Sequence, residues 1–318
     1  MSRRKKAGLV LLGIVLLLSA WLGVRFARLG IEVAVDPAKL PADPAAPVAT
    51  EFSIATYNVQ ARPLFDDSVH KFTRMPKVLE PYDILSFQEM FKDHARMYAG
   101  LSHGVKVYHA TLKSPFKIVG SGLGTVARFP LAGTAETIFT TYGDRQNMPA
   151  SKGVLLTRLR VGGMPLDVYT THMEAGKNDA AMVSRRKQAE EIVSFVRANS
   201  TAENAVILHG DFNMRFSKPG QEHPDIKAGR VPESFTGLKR EHIIDATTAA
   251  LGLKDLSRET RGEPNDGVDH ILFRSGSKAV LTPLSWQHDG PEFYDEDKQP
   301  LSDHEPVIGR FRIAPPAG

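Results

Sequence analysis

Ala205-Val206-Ile207-Leu208-His209-Gly210-Asp211-Phe212-Asn213 is the stretch on which the reading turns. Ala205 to Leu208 is a short apolar run of strand type, and it delivers Gly210-Asp211-Phe212-Asn213 just beyond its end. Asp211 and Asn213 are two residues apart, so on extended backbone their side chains share a side. There a carboxylate can orient or deprotonate water while an amide donates to a phosphoryl oxygen. Taken alone, an Asp-x-Asn triplet is more often a turn.

The triplet does not stand alone. Thr56-Tyr57-Asn58, Gln88-Glu89, Thr171-His172, Val268-Asp269-His270 and Ser302-Asp303-His304 are further short polar signatures, most of them associated with apolar runs. Strands are predicted over Phe52 to Val59, Asp83 to Phe87, Val105 to Ala110, Gly124 to Arg128, Thr137 to Thr141, Gly153 to Leu159, Leu166 to Thr171, Ala205 to Leu208, Val268 to Phe273 and Val307 to Phe311. Helical patterns fall at Lys71 to Leu79, Phe91 to Leu101 and Ala181 to Val196; in the last, Met182, Val183, Ala189, Ile192, Val193 and Val196 make one apolar face. Many strands and fewer helices imply an α/β sandwich of mixed sheets flanked by helices. Arg215 to Glu241, rich in Gly, Pro, Lys and His, reads as a long loop and a candidate substrate rim.

The signatures supply a recognisable chemistry. Glu89 brings a carboxylate to a strand end, Asn58 an amide oxygen beside it, and Asp303 a third oxygen donor. A site with one or two carboxylates and positions left to water and phosphate suits Mg²⁺. As an alternative, Glu89 is a first-turn acid of the helix predicted from Phe91. His304 is a natural general base, and a carboxylate such as Asp269 on its other nitrogen would fix the tautomer, although Asp269 by itself also suits a cap or the surface. His172 closes another strand, where an imidazole can bind or protonate a phosphoryl oxygen.

Composition narrows the field. At 318 residues with ordinary apolar and charged content, the chain reads as one globular domain of roughly 270 residues plus an amino-terminal segment. The absence of cysteine excludes disulfides, thiolate-bound zinc and thiol catalysis, so metal binding must rest on oxygen and imidazole. The net charge of +4, less the +6 carried by Arg3, Arg4, Lys5, Lys6, Arg25 and Arg28 in residues 1–30, leaves residues 31–318 at −2. Proteins that bind polyanionic duplexes usually carry a basic excess, so nucleic acid is the weaker expectation for a substrate.

Ala7 to Val24 are eighteen uncharged residues behind four basic ones, a length that just reaches across a bilayer. A cleaved signal peptide is the alternative; the long apolar run and the basic residues that follow it favour an uncleaved anchor. The excess of positive charge before the run orients the remainder outside the cytoplasm. Residues 31–50, with Pro37, Pro41, Pro44 and Pro47, are expected to link the anchor of residues 1–30 to a catalytic domain over 51–318.

In this order, the signatures resemble those of the endonuclease/exonuclease/phosphatase superfamily, which includes pancreatic-type deoxyribonuclease, abasic-site endonucleases, inositol polyphosphate 5-phosphatases and neutral sphingomyelinases. The resemblance covers residues 51 to 313. It implies a four-layered α/β sandwich with the site at one end of two packed sheets. It also implies metal-site roles for Asn58, Glu89 and Asp303, a water-and-phosphate pair in Asp211 and Asn213, and a base in His304 oriented by Asp269, with His172 contacting phosphate or leaving group. Ser121-Gly122-Leu123, Lys152-Gly153-Val154 and Thr171-His172-Met173-Glu174-Ala175 are similar to segments of neutral sphingomyelinases. From these, Lys152 is expected to assist phosphate binding, a solvated lysine at a strand start being the alternative. The expectation is a membrane-anchored phosphodiesterase using Mg²⁺, with Mn²⁺ a substitute, acting on a phospholipid head group. The competing readings are an exported nuclease and an inositol-phosphate phosphatase. No obligate protein partner is evident in the sequence.

Overall fold

The computed structural model describes residues 10–20, 30–112, 117, 119–143, 150–218, 240–288 and 290–317. Two mixed sheets pack face to face. The first holds seven strands: β1 (Ile31–Val35), β2 (Thr50–Asn58), β3 (Ile84–Gln88), β4 (Val105–His109), β5 (Leu123–Ala127), β12 (Val280–His288) and β13 (Val307–Ala314), in the order β1-β4-β5-β3-β2-β13-β12. The second holds six: β6 (Leu131–Ile138), β7 (Gly153–Val161), β8 (Met164–His172), β9 (Ala205–Asp211), β10 (Lys254–Asp255) and β11 (Asp269–Arg274), in the order β10-β11-β9-β8-β7-β6.

The period-2 alternation of each strand divides its side chains between two cores. In β9, Ala205 and Ile207 enter the core between the sheets, while Val206 and Leu208 face outward. In β2, Phe52 and Ile54 point inward and Ala55 and Tyr57 outward. The outward residues of the first sheet are covered by α1 (Ser68–Leu79) and α2 (His94–Ala99) through Phe72, Met75, Leu79 and Met97. Those of the second are covered by α3 (Asp179–Asn199) and α4 (Arg240–Ala250) through Ile192, Val196 and Ile244. Helix, sheet, sheet, helix is the layering expected. α3 begins where Asn178 accepts a hydrogen bond from the amide of Ala181 at 2.8 Å, an N-cap that meets one otherwise orphaned donor. A short helix, α5 (Leu256–Arg261), starts likewise on Asp255 and stops at Gly262, whose φ of 84° is left-handed.

Several expectations need correction. Ile31–Val35, assigned to the linker, is an edge strand running antiparallel to β4. Its alternating Ile, Val and Val suit a pleated edge better than a tether. The proline-rich stretch after it is also fastened down, with the Asp36 amide donating to Gly104 O at 2.7 Å and that of Val48 to Gly162 O at 2.9 Å. The strand expected over Thr137 to Thr141 lies earlier, at Leu131–Ile138. β12 lies outside the strands predicted from sequence; the structure keeps Pro283 on an edge strand with a register shift before Ser285, where a missing N–H is tolerated. Of the anchor at 7–24, residues 10–20 are helical and 7–9 and 21–24 lie outside the described residues. Among the described residues no helix is long and apolar enough to cross a membrane. The loop expected over Arg215 to Glu241 lies outside them at 219–239, and its last residues enter α4.

Candidate active site

Each sheet contains one parallel pair, β2 with β3 and β8 with β9. A parallel pair opens two carboxyl ends side by side, and here those ends are Asn58 beside Gln88 and His172 beside Asp211. β11 enters antiparallel with Asp269 opposite Asp211. The two sets of ends meet: Asn58 Nδ2 donates to Asp211 Oδ2 at 3.2 Å, and His172 Nε2 stands 3.8 Å from Glu89 Oε1. Glu89 follows β3 with a φ of 54°, left-handed backbone that a glutamate rarely adopts and that turns its side chain out of the strand.

His304 arrives on the loop before β13. Its Nδ1 lies 2.7 Å from Asp269 Oδ2 and its Nε2 3.9 Å from Asp211 Oδ2. Because a carboxylate accepts, the proton sits on Nδ1 and Nε2 faces the site. Burial disfavours the imidazolium, but the bond and charge of Asp269, with Asp211 and Asp303 behind it, outweigh burial and raise the pKa to about 10. Burial, the largest influence on Asp269, pushes its carboxyl up against the pull of His304.

Acid groups crowd this end of the sandwich. Burial raises the pKa of Glu89, and the charges of Asp211 and Asp303 add to the rise against Lys152 and Asn58. Burial likewise raises Asp211, with Asp269 adding repulsion. Buried hard-oxygen groups held near one another are a fit for a divalent cation, Glu89 foremost. The expected ligand set is modified in two respects. Asn58 turns its amide nitrogen to Asp211 and its oxygen to the backbone N–H of Gln60 at 3.1 Å, so as placed it steadies carboxylates instead of offering an oxygen. Asp303 is exposed and reaches Glu89 through its charge. Among the described residues, the His and acid groups whose ligand atoms lie within 4.8 Å of one another are Asp211, Asp269 and His304. Since Asp269 and His304 already bond to each other, this trio is read as a hydrogen-bonded base rather than as a cation site.

Lys152 is not the solvated lysine of the alternative reading. It is buried, with Nζ 2.8 Å from His172 Nε2 and donating to Met173 O at 2.8 Å. Burial, then the charges of Lys152 and His304, hold His172 well below the ordinary imidazole range. His172 is thus neutral, and its 3.4 Å approach to Asp211 is not an ion pair. With an ammonium donor on its Nε2, it carries its own proton on Nδ1. Burial, the largest influence on Lys152, lowers its pKa, while the charges of Asp211, Glu89 and Glu174 pull it back up. Asn213 donates its backbone N–H to Asp211 Oδ1 at 2.8 Å and a side-chain N–H to Met173 O at 3.1 Å, so one amide hydrogen expected for phosphate is engaged.

Three positioning residues carried no assigned role in the sequence. Ser302 Oγ donates to Asn58 O at 2.6 Å, pinning the loop of His304 to the end of β2. His270 is buried with Nε2 2.9 Å from Met214 O, which only accepts, so its proton is on Nε2; burial lowers its pKa to about 4. It thereby holds the backbone just past Asn213. Gly210 has a φ of 131°, and a Cβ there would stand 2.1 Å from Thr171 O. Gly210→Ala should therefore shift β9 against β8 and destabilise the fold by on the order of 2–4 kcal/mol. A melting temperature within about 2 °C of the parent would contradict this.

Beside His304 and Asp269 lies a cavity of about 540 Å³ whose lining includes Arg215, Arg261, Glu263, Asp266 and Glu305. It is large enough for a head group and mixed in charge.

The model of the endonuclease/exonuclease/phosphatase family matches residues 55–304. A sphingomyelinase of Mycobacterium bovis is 26% identical over 274 residues, which cover 83% of this chain and 53% of that protein. Sphingomyelin phosphodiesterase 2 of Homo sapiens is 24% identical over 274 residues, covering 78% and 62% respectively. The chain thus spans little more than half the length of these curated relatives. Among solved structures, a mutant Staphylococcus aureus beta toxin with bound magnesium ions superposes with a TM-score of 0.57 at 14% identity, over 84% of this chain and all of that one (100%). At that identity the likeness is one of fold.

Proposed function

The chain belongs to the endonuclease/exonuclease/phosphatase family, and on that premise we propose that it is a divalent-cation-dependent phosphodiesterase releasing the phosphorylated head group of a sphingomyelin-type phospholipid. The observation that carries the hydrolytic reading is the His304–Asp269 bond of 2.7 Å, with Nε2 free to face water near Asp211.

In the reaction, Nε2 of neutral His304 takes the proton of a water attacking phosphorus as the P–O bond to the lipid alcohol breaks, that oxygen leaving with a proton from solvent, while Asp269 keeps Nδ1 protonated and steadies the imidazolium that forms. Asp211, fixed by Asn58 and the Asn213 amide, aligns that water. Glu89 and Asp303 are the residues that would hold Mg²⁺, or Mn²⁺ in its place, with Asn58 joining through a turned amide. When bound, the cation supplies positive charge that draws the His304 pKa down and offsets charge growing on the phosphoryl oxygens. Lys152 donates behind His172 on the same side, and Asn213, held by Met173 O, stands beside them. The lipid assignment is supported by the names of the two relatives and by the −2 charge of residues 31–318, which gives no basic excess for a duplex. The same proposal keeps residues 7–24 as an anchor, with the domain outside the cytoplasm.

The test is a comparison at equal phosphate of sphingomyelin and phosphatidylcholine micelles, inositol phosphates and plasmid DNA, with Mg²⁺ present. Sphingomyelin should release phosphocholine faster than plasmid is nicked. Inert phospholipids together with efficient nicking would replace the lipid reading by the nuclease one, on the same catalytic residues.

A further inference from the structure

Two large apolar side chains stand clear of the protein at the edge of the site. On the loop between β2 and α1, Leu64 is 97% exposed and Phe65 81%, more than any other large hydrophobic residue among those described. Single exposed apolar residues are ordinary, but these two are consecutive, and Val69 on the first turn of α1 lies 49% exposed close by in the chain. Leu64 holds a φ of 69°, a left-handed conformation disfavoured for leucine. A second loop approaches the same helix: His70 Nε2 lies 4.0 Å from Asp295 and Arg74 3.2 Å from Glu296, which brings half-exposed Tyr294 toward this rim.

The base of the first loop is firmly clamped by Arg62, Lys71 and Lys92, the first of them paired with Asp66. Asp66 accepts from the Arg62 backbone N–H at 2.8 Å and from its guanidinium at 2.8 and 3.1 Å. Lys92 Nζ donates to Asp66 O at 2.7 Å, and Lys71 Nζ to Gln60 O at 3.0 Å. The loop starts at Asn58, inside the site, and Arg62 and Lys71 sit in the field of Glu89 and Asp303. An apolar tip above a polar base of mixed charge, with the Arg62–Asp66 pair beside Lys71 and Lys92, matches the layering of a zwitterionic phospholipid surface, with hydrocarbon beneath a plane of head groups. A protein partner fits less well, because a stable interface covers about 800 Å² on each side and is broad, whereas this is a narrow projection.

We propose that the Pro63-Leu64-Phe65 tip, with Val69 and Tyr294 beside it, inserts into a phospholipid surface and sets the mouth of the site against it. The proposal deepens the lipid reading above and rests on it for what then lies under the site, whereas insertion itself requires no turnover.

The chain has no cysteine, so Leu64→Cys in the full chain takes a single environment-sensitive fluorophore, with Val183→Cys on α3 as the control. With sphingomyelin and phosphatidylcholine vesicles in chelator, emission should shift to the blue from position 64 and stay unchanged from 183. In parallel, the Leu64→Ser/Phe65→Ser variant should raise KM for micellar sphingomyelin by roughly 10–100-fold, the loss expected when apolar side chains of this size no longer bury. Its kcat/KM on water-soluble bis(p-nitrophenyl) phosphate should be unchanged. No shift at 64, equal shifts at both positions, or equal losses on both substrates would overturn the proposal. The two readings separate cleanly. A blue shift at 64 without hydrolysis of any phospholipid sinks the lipid substrate and keeps insertion, while sphingomyelin turnover indifferent to the double variant sinks insertion and keeps the substrate.

Discussion

Replacing His304 by alanine lowers kcat by on the order of 10²–10⁴, the usual worth of a positioned general base, with KM little changed. The expectation follows from geometry: Nδ1 is committed to Asp269 at 2.7 Å, so Nε2 is the nitrogen left to accept a proton from water. Asp269→Asn is comparably severe, because an amide nitrogen facing Nδ1 would drive the ring to the tautomer with its proton on Nε2, where a base has no lone pair to offer. The same pair has a signature without substrate. The folded pKa of about 10 lies above the ordinary imidazole value near 6.5, so the bond contributes stability that is full below about pH 6.5 and is lost as pH rises through about 10. In chelator, the melting temperature should fall across that window more steeply for the parent than for His304→Ala. Parallel curves, or near-parent kcat in His304→Ala, would remove His304 from the mechanism.

Chelation of divalent cations should abolish turnover, and Mg²⁺ or Mn²⁺ should restore it. Glu89→Ala should reproduce the chelated state at ordinary Mg²⁺. Milder Glu89→Gln should regain part of its activity as Mg²⁺ is raised, whereas His304→Ala should not, since it leaves cation binding intact. A second readout is independent of turnover. Glu89 is a buried acid pressed by Asp211 and Asp303, so Glu89→Gln in chelator should melt no lower than the parent while calorimetry shows weaker Mg²⁺ binding. Full turnover by demetallated protein, or unchanged Mg²⁺ affinity in Glu89→Gln, would refute this assignment.

Much of this was legible in residue order, since strands with period-2 apolar patterns end in the polar groups that form the site. Asp211, Asp269 and His304 lie together because a strand end fixes a side chain's position to within a residue, and signatures at several strand ends constrain one another. What sequence could not show was which polar atom faces which. The Asn58 amide offers nitrogen or oxygen according to the Gln60 N–H, and the protonation of His172 depends on its own burial and then on the Lys152 charge beside it. Neither contact has a local signature. The missed edge strands have a different cause. Pro283 is a sound argument against a central strand, but β12 is paired on one side only, and Ile31–Val35 is too short to outweigh the prolines that follow it. Leu64 and Phe65 have no local signature in sequence, and only their exposure sets them apart.

The direct bond between Asn58 and Asp211 spans 153 positions of sequence and ties one sheet to the other. Every group proposed for the chemistry is anchored at an end of one sheet or the other, so neither sheet forming alone assembles a competent centre. In kinetic terms the site is a high-contact-order feature: its loop-closure entropy is met only when the two halves dock, which places it late in folding. Hydrolytic competence in a refolding chain is then a reporter of sheet docking, regained no sooner than the interior between the sheets closes.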